Sequence, residues 1–234
     1  MIPRELFRKE TINTLRSFGE FVLANEKRIT PRVFADEFWK LEKQYARGGN
    51  IDTFCRESDN LAQMLFNHYK DDYVGIIMSV LCKTNEARPQ ALEYFAWKGF
   101  DIARMNRDFV HMMARLNDLR NVYIENPACF RQYMDVLFRQ EHCLHKLTSY
   151  YDDVSKNYHS VSREIAPRGT YEEMLAYTQT EIGRITKYSN PKDARYKLSS
   201  AHNIFLKRGK HKHAEYVRKL LRDIDRNSFR RRFE

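Results

Sequence analysis

Signals that start and stop α-helices recur along the whole chain, at intervals of about 10–20 residues. Thr30-Pro31 and Asn190-Pro191 each place a capping side chain before a proline, an order that favours the first turn of a helix. Gly48-Gly49 and Gly209 each stand where a helical pattern ends. Turns of a few residues force neighbouring helices to run antiparallel. The pattern therefore predicts an all-α fold, either an antiparallel helical bundle or an irregular α-solenoid of helical hairpins.

Other helix boundaries are predicted from single side chains. Asp52, Pro89, Asp101 and Pro127 are expected to open helices, Gly99 to close one, and Thr170-x-x-Glu173 to form a capping box. Residues 74–81 are apolar enough for a strand, but their flanks favour a helix. Because 234 residues contain only eight Gly and six Pro, the chain lacks the frequent turns that a sheet protein needs.

The composition predicts a well-packed core in a reducing compartment. Hydrophobic residues make up 42% of the chain, enough to bury the core of one large domain or two small ones. No apolar run approaches the roughly 18–20 residues that span a bilayer. Cys55, Cys82, Cys129 and Cys143 lie in apolar stretches without a Cys-x-x-Cys pair, which indicates reduced, buried thiols. The chain is therefore expected to be intracellular, and a mitochondrial matrix location stays open.

The positive charge is confined to one end. Residues 187–234 contain 15 Lys and Arg against five Asp and Glu, so this segment carries the entire net charge of +10. Such an asymmetry is typical of a surface that meets nucleic acid, an anionic membrane or an acidic protein. We therefore divide the chain into a neutral helical body (1–166), a basic C-terminal helical region (170–226) and a basic tail (227–234) that is expected to order only on a partner.

The residues predicted to contact an acidic partner share a basic or an exposed aromatic side chain. They are Lys192, Arg195, Lys197, Lys207, Arg208, Lys210, Lys212, Arg218, Lys219, Arg222, Arg230, Arg231, Arg232, Tyr188 and Tyr196. The cations are suited to phosphates and the tyrosines to stacking on unpaired bases. Four of the cations bracket Gly209 and are expected to cluster at the tip of a hairpin, whereas Phe205 and Val217 are assigned to its inner face.

Residues 74–99 and 196–221 each contain two short helices around a tight turn. In the second segment, Ala201 to Gly209 lead through the turn into Ala214 to Leu221. This helix–Gly–helix order resembles tetratricopeptide and pentatricopeptide repeats, although it does not recur at a fixed period of about 34 or 35 residues. The resemblance implies an α-solenoid that binds an extended peptide or single-stranded RNA.

No arrangement of residues predicts catalysis or a cofactor. The chain has neither a glycine-rich phosphate loop nor a Gly-x-Ser-x-Gly elbow. In Glu141-His142-Cys143-Leu144-His145 the spacing is wrong for a helical di-iron site, and a polar helix edge is the preferred interpretation. His111 lies among apolar residues and is expected to be a hydrogen-bonded core histidine. We therefore expect no enzymatic activity, no metal and no cofactor.

The function predicted from the sequence is that of a non-catalytic helical scaffold subunit of a larger assembly. The preferred assembly is a ribonucleoprotein, with protein subunits contacting the body and RNA contacting the basic end. Two alternatives stay open. One is an accessory subunit of a membrane-bound, mitochondrial-type energy-converting complex, with peripheral contact to that complex. The other is a helical-repeat adaptor that captures a peptide.

Overall fold

The computed structural model describes residues 36, 39–41, 43–44, 49–66, 81–82, 85, 88–157 and 165–230. All regular structure in these ranges is helical, which confirms the predicted all-α fold. The choice between a bundle and a solenoid stays a prediction. The predicted helix start at Thr30-Pro31 and the apolar segment 74–80 lie outside the described residues. In the part of the chain that is described, no helix is long and apolar enough to cross a membrane.

The chain divides into two compact units, of which the first comprises Met1–Pro127 and His159–Glu164. Its described helices are α1 (Ile51–Phe66), α2 (Pro89–Met105) and α3 (Phe109–Ile124). Helices α2 and α3 pack closely together, and Phe95, Leu116 and Leu119 are fully buried. The ring of Phe54 on α1 meets Phe95 edge-on, with 6.3 Å between the ring centroids.

Three helix boundaries of this unit differ from those predicted. Asn50, rather than Asp52, caps α1, because its Oδ1 accepts a hydrogen bond from the Asp52 backbone N–H at 2.7 Å. Helix α2 continues through the buried Gly99 and through Asp101, since glycine is compatible with a helix at a buried position. The chain reverses instead at Arg107, whose φ is 55°.

The second unit comprises Ala128–Tyr158 and Ile165–Glu234. A single 3₁₀ turn, Pro127–Cys129, precedes α4 (Phe130–Ser149), so Pro127 does not open an α-helix directly. The other helices are α5 (Tyr151–Asn157), α6 (Arg168–Thr186), α7 (Pro191–Lys207) and α8 (His211–Arg230). Helix α4 packs on α6, α6 on α7, and α7 on α8. The basic helices therefore share one unit with α4 and α5.

In the second unit, one predicted helix cap is found in the structure and another is not. Asn190 caps α7 as predicted, accepting a hydrogen bond from the Asp193 N–H at 3.3 Å. The predicted capping box does not form, because α6 begins at Arg168 and Thr170 already lies inside its first turn. Helix α8 runs to Arg230, four residues into the predicted tail.

Candidate nucleic-acid interface

The hairpin of α7 and α8 is built around the predicted turn at Gly209. This glycine has φ of 69°, a left-handed conformation that only glycine adopts without strain. The Lys210 N–H donates to the Phe205 carbonyl at 2.8 Å, and the Gly209 N–H donates to the Leu206 carbonyl at 3.0 Å. These two bonds form a Schellman motif, which satisfies the last carbonyls of α7. The turn is therefore fixed by its own backbone.

The inner face of α8 is apolar and buried in the core of the second unit. Ala214, Val217, Leu220 and Ile224 are buried against α7, in a core cluster that also contains Phe205. This placement confirms the inner-face assignment of Phe205 and Val217. Residues spaced three and four apart occupy one side of a helix, so the opposite side of α8 faces solvent.

All three acidic residues of the described part of α8 are paired with cations. The pairs are Glu215 with Arg218, Asp223 with Lys187 at 3.5 Å, and Asp225 with Arg195. Two of these cations come from outside α8: Lys187 follows α6, and Arg195 lies on α7. Each acid of α8 is thus paired with a cation other than those that lie along the outer face of the helix.

Four cations lie along that outer face. Lys212, Lys219, Arg222 and Arg226 are exposed, and no carboxylate partner is found for them among the described residues. At 3.6 residues per turn they fall within a sector of about 80°, opposite the buried face. Their spacing extends over about 21 Å along the helix axis. We call this set the α8 stripe.

The cations around Gly209 are arranged differently, because α6 supplies carboxylates to them. Glu172 pairs with Lys207 at 3.5 Å. Glu173 pairs with Lys210 at 3.2 Å and with Arg208 at 3.6 Å. Lys207, Arg208 and Lys210, which we call the turn cluster, therefore face two acids. Lys212 belongs with the α8 stripe rather than with this cluster.

Lys197 is a predicted contact residue that the structure places inside the protein. It is 8% exposed, and its Nζ lies 2.5 Å from Oε2 of Glu141 on α4. Glu141 also accepts a hydrogen bond from the buried Gln179 amide at 3.2 Å. This ion pair joins α4 and α7 around α6, so Lys197 is not available to an external partner.

The remaining residues predicted to contact a partner lie at the surface or outside the described residues. Tyr188 and Tyr196 are 53% and 72% exposed, and Lys187 lies 4.8 Å from the Tyr188 ring centroid. Lys192 is exposed near the start of α7. Arg230 ends α8 with its side chain undescribed, and Arg231 and Arg232 lie outside the described residues.

An aromatic group between α6 and α8 was not predicted from the sequence. The Tyr177 ring on α6 meets the His213 ring edge-on at 5.1 Å, and its hydroxyl lies 3.2 Å from His213 Nε2. Tyr216 follows one turn later on α8 and is 46% exposed. The pKa of the nearby Arg184 guanidinium is raised, mainly by its hydrogen bond to Glu181 and to a lesser degree by Tyr216. Tyr177, His213 and Tyr216 together are called the aromatic row.

Other chemically active side chains are explained by packing. His111 is buried and hydrogen-bonded to Asp108 at 2.5 Å, as predicted for a core histidine. Three cysteines are buried, and burial raises the pKa of Cys82 and Cys143 to about 12 and of Cys55 to about 11. Across the described ranges no group of three His, Cys, Asp or Glu side chains is placed to hold a metal.

No protein-family model, curated protein or solved structure matches the chain. The resemblance of residues 74–99 and 196–221 to helical-hairpin repeats stays a prediction. Function is therefore inferred from the charges and contacts of the second unit itself.

Proposed function

We propose that this chain is a non-catalytic helical scaffold subunit of a ribonucleoprotein and that it binds RNA through the α8 stripe. One observation carries the proposal. The acids of α8 are each paired with another cation, whereas four cations on its outer face have no carboxylate partner among the described residues. A surface of this kind suits a ligand that presents a continuous row of negative charges.

The phosphate backbone of RNA is such a ligand. Each cation that meets a phosphate releases condensed counterions, so the affinity falls with salt by about 0.7 log unit per log unit for each contact to a single strand. Four contacts from the α8 stripe would give a salt slope of about −2.8. Phosphate contacts of this kind position a nucleic acid without reading its sequence.

The packing of α8 supports a scaffold role. Its inner face is buried against α7, and the Schellman turn at Gly209 holds its start. The stripe is consequently presented on a rigid helix, so binding costs less ordering of the backbone than it would for a disordered basic segment. The described helices of the neutral part of the chain offer surface for protein subunits.

The test uses point substitutions in the full chain, because α7 and α8 share a core with α6 and deleting them would expose it. Lys219→Ala with Arg222→Ala removes two charges from the stripe. Arg131→Ala with Lys156→Ala removes two exposed charges of α4 and α5 and is the matched control. Binding of a labelled single-stranded RNA is measured over a salt series.

We expect the stripe double variant to flatten the salt slope by about 1.4, and the control double variant to leave it unchanged. An equal effect of the two double variants would contradict the proposal, since only net charge would then matter. Binding to vesicles that contain phosphatidylserine is measured in parallel. If the parent protein binds these vesicles but not RNA, the membrane-complex alternative replaces the proposal.

A further inference from the structure

The aromatic row borders the α8 stripe on the side of α8 that meets α6. Around the axis of α8, Tyr216 lies about 40° and His213 about 100° from Lys212, and the Tyr177 ring on α6 contacts His213. Helices α6 and α8 both pack against α7, and the Tyr177–His213 contact joins them directly. Going around α8 from the stripe toward α6, the aromatic rings therefore follow the cations.

Tyr177 is held in place although much of it is exposed. Its ring centroid lies 5.0 Å from that of the buried Phe205, in an edge-on arrangement, and its hydroxyl is engaged by His213. The side chain nevertheless remains 39% exposed. Tyr216, one turn after His213 on α8, is 46% exposed. A fixed ring with exposed surface can receive a planar partner without first losing rotamer freedom.

We propose that the aromatic row, Tyr177, His213 and Tyr216, is a stacking site for unpaired nucleobases, so that the RNA held by the α8 stripe is single-stranded. This inference rests on the proposed function and narrows it. Every base has a planar face that stacks on aromatic side chains, but in a duplex these faces are covered by neighbouring base pairs. The proposal therefore separates single strands from duplexes that carry the same phosphates.

The experiment compares one RNA as a single strand and as a duplex with its complement. The test variant is Tyr177→Leu with Tyr216→Leu, which keeps apolar bulk but removes the aromatic faces. Tyr150→Leu is the control, because Tyr150 is 54% exposed at the end of α4, a helix that contributes no residue to the row. Tyr177→Phe with Tyr216→Phe keeps the rings and tests whether the hydroxyls matter.

We expect the Leu double variant to bind the single strand about 5-fold to 150-fold more weakly per lost base contact, with the salt slope unchanged. Its affinity for the duplex should equal that of the parent. The Phe double variant and Tyr150→Leu should bind both RNAs as the parent does. Circular dichroism of each variant confirms that the helices are retained.

Two results would overturn the inference. The parent could bind the duplex as tightly as the single strand, or the Leu double variant could bind the single strand as tightly as the parent. If the stripe variants still weaken RNA binding in either case, stacking is refuted while the proposed function stands. If the parent binds neither RNA, the proposed function itself fails.

Discussion

The outer face of α8 and the turn at Gly209 carry similar numbers of cations. Carboxylates of α6 pair with the cations at the turn, whereas no described carboxylate pairs with those of the outer face. Replacing Lys219, Arg222 and Arg226 with Ala removes three stripe cations that have no carboxylate partner among the described residues. Replacing the turn cluster removes three cations that face Glu172 and Glu173. The two triple variants have the same net charge, so they separate charge from position.

The number of cations in each set that lack a described carboxylate partner determines the expected change in the salt slope. Three lost phosphate contacts should flatten the salt slope by about 2.1, from about −2.8 to about −0.7. Between about 50 and about 200 mM salt, the parent should then lose about 50-fold in affinity and the stripe variant about 3-fold. Two carboxylates already offset the turn cluster, so its variant should flatten the slope by no more than one contact, about 0.7.

The assay is fluorescence anisotropy of a labelled single-stranded RNA, titrated with each full-length variant at several salt concentrations. Lys219, Arg222 and Arg226 are exposed on a helix, where Ala preserves helix propensity, so the stability of the stripe variant should change little. The reasoning is refuted if the turn-cluster variant flattens the slope as strongly as the stripe variant. Carboxylate pairing would then have no bearing on which cations meet the ligand.

Three further predictions concern the interior. Lys197→Ala should destabilise the protein by about 3–5 kcal/mol in urea unfolding, because it leaves the buried Glu141 without its cation. Gly183→Ala should cost about 1–3 kcal/mol, since a Cβ there would lie 2.6 Å from the Leu198 side chain. At pH 8 iodoacetamide should modify Cys129 in the native protein before the three buried cysteines, whose raised pKa keeps them protonated, as mass spectrometry can show.

Each of these predictions has a result that would contradict it. A Lys197→Ala variant as stable as the parent would mean that Glu141 is not held by this ion pair. Unchanged stability of Gly183→Ala would mean that α6 and α7 have room for a methyl group. Modification of all four cysteines at equal rates in the native state would show that Cys55, Cys82 and Cys143 are not protected by burial.

Part of the fold and of the candidate interface could be predicted from the sequence, because it depends on signals between neighbouring residues. Asn190-Pro191 and Gly209 act through neighbouring backbone groups, so the α7–α8 hairpin is predictable. The stripe cations also belong to one helix, so their spacing in the sequence is enough to place them on one face. Lys197 carried a local signal that was overlooked: it stands three residues after Ala194 and four before Ala201, inside the buried side of α7.

Other parts depend on which helices pack together, which a single sequence does not give. The pairing of Asp223 with Lys187 joins residues of different elements. Pairing of the turn cluster with α6 likewise depends on how α6 packs against α7. Tyr177 was missed because it precedes the basic segment, and only its contact with His213 links it to α8.

The central claim is that the second unit binds RNA electrostatically through α8. The most direct measurement is the salt dependence of the affinity of the unmodified full-length protein for a single-stranded RNA. We expect binding at low salt that weakens by about 50-fold or more between about 50 and about 200 mM salt. Absence of binding at low salt, or an affinity that does not change with salt, would contradict it.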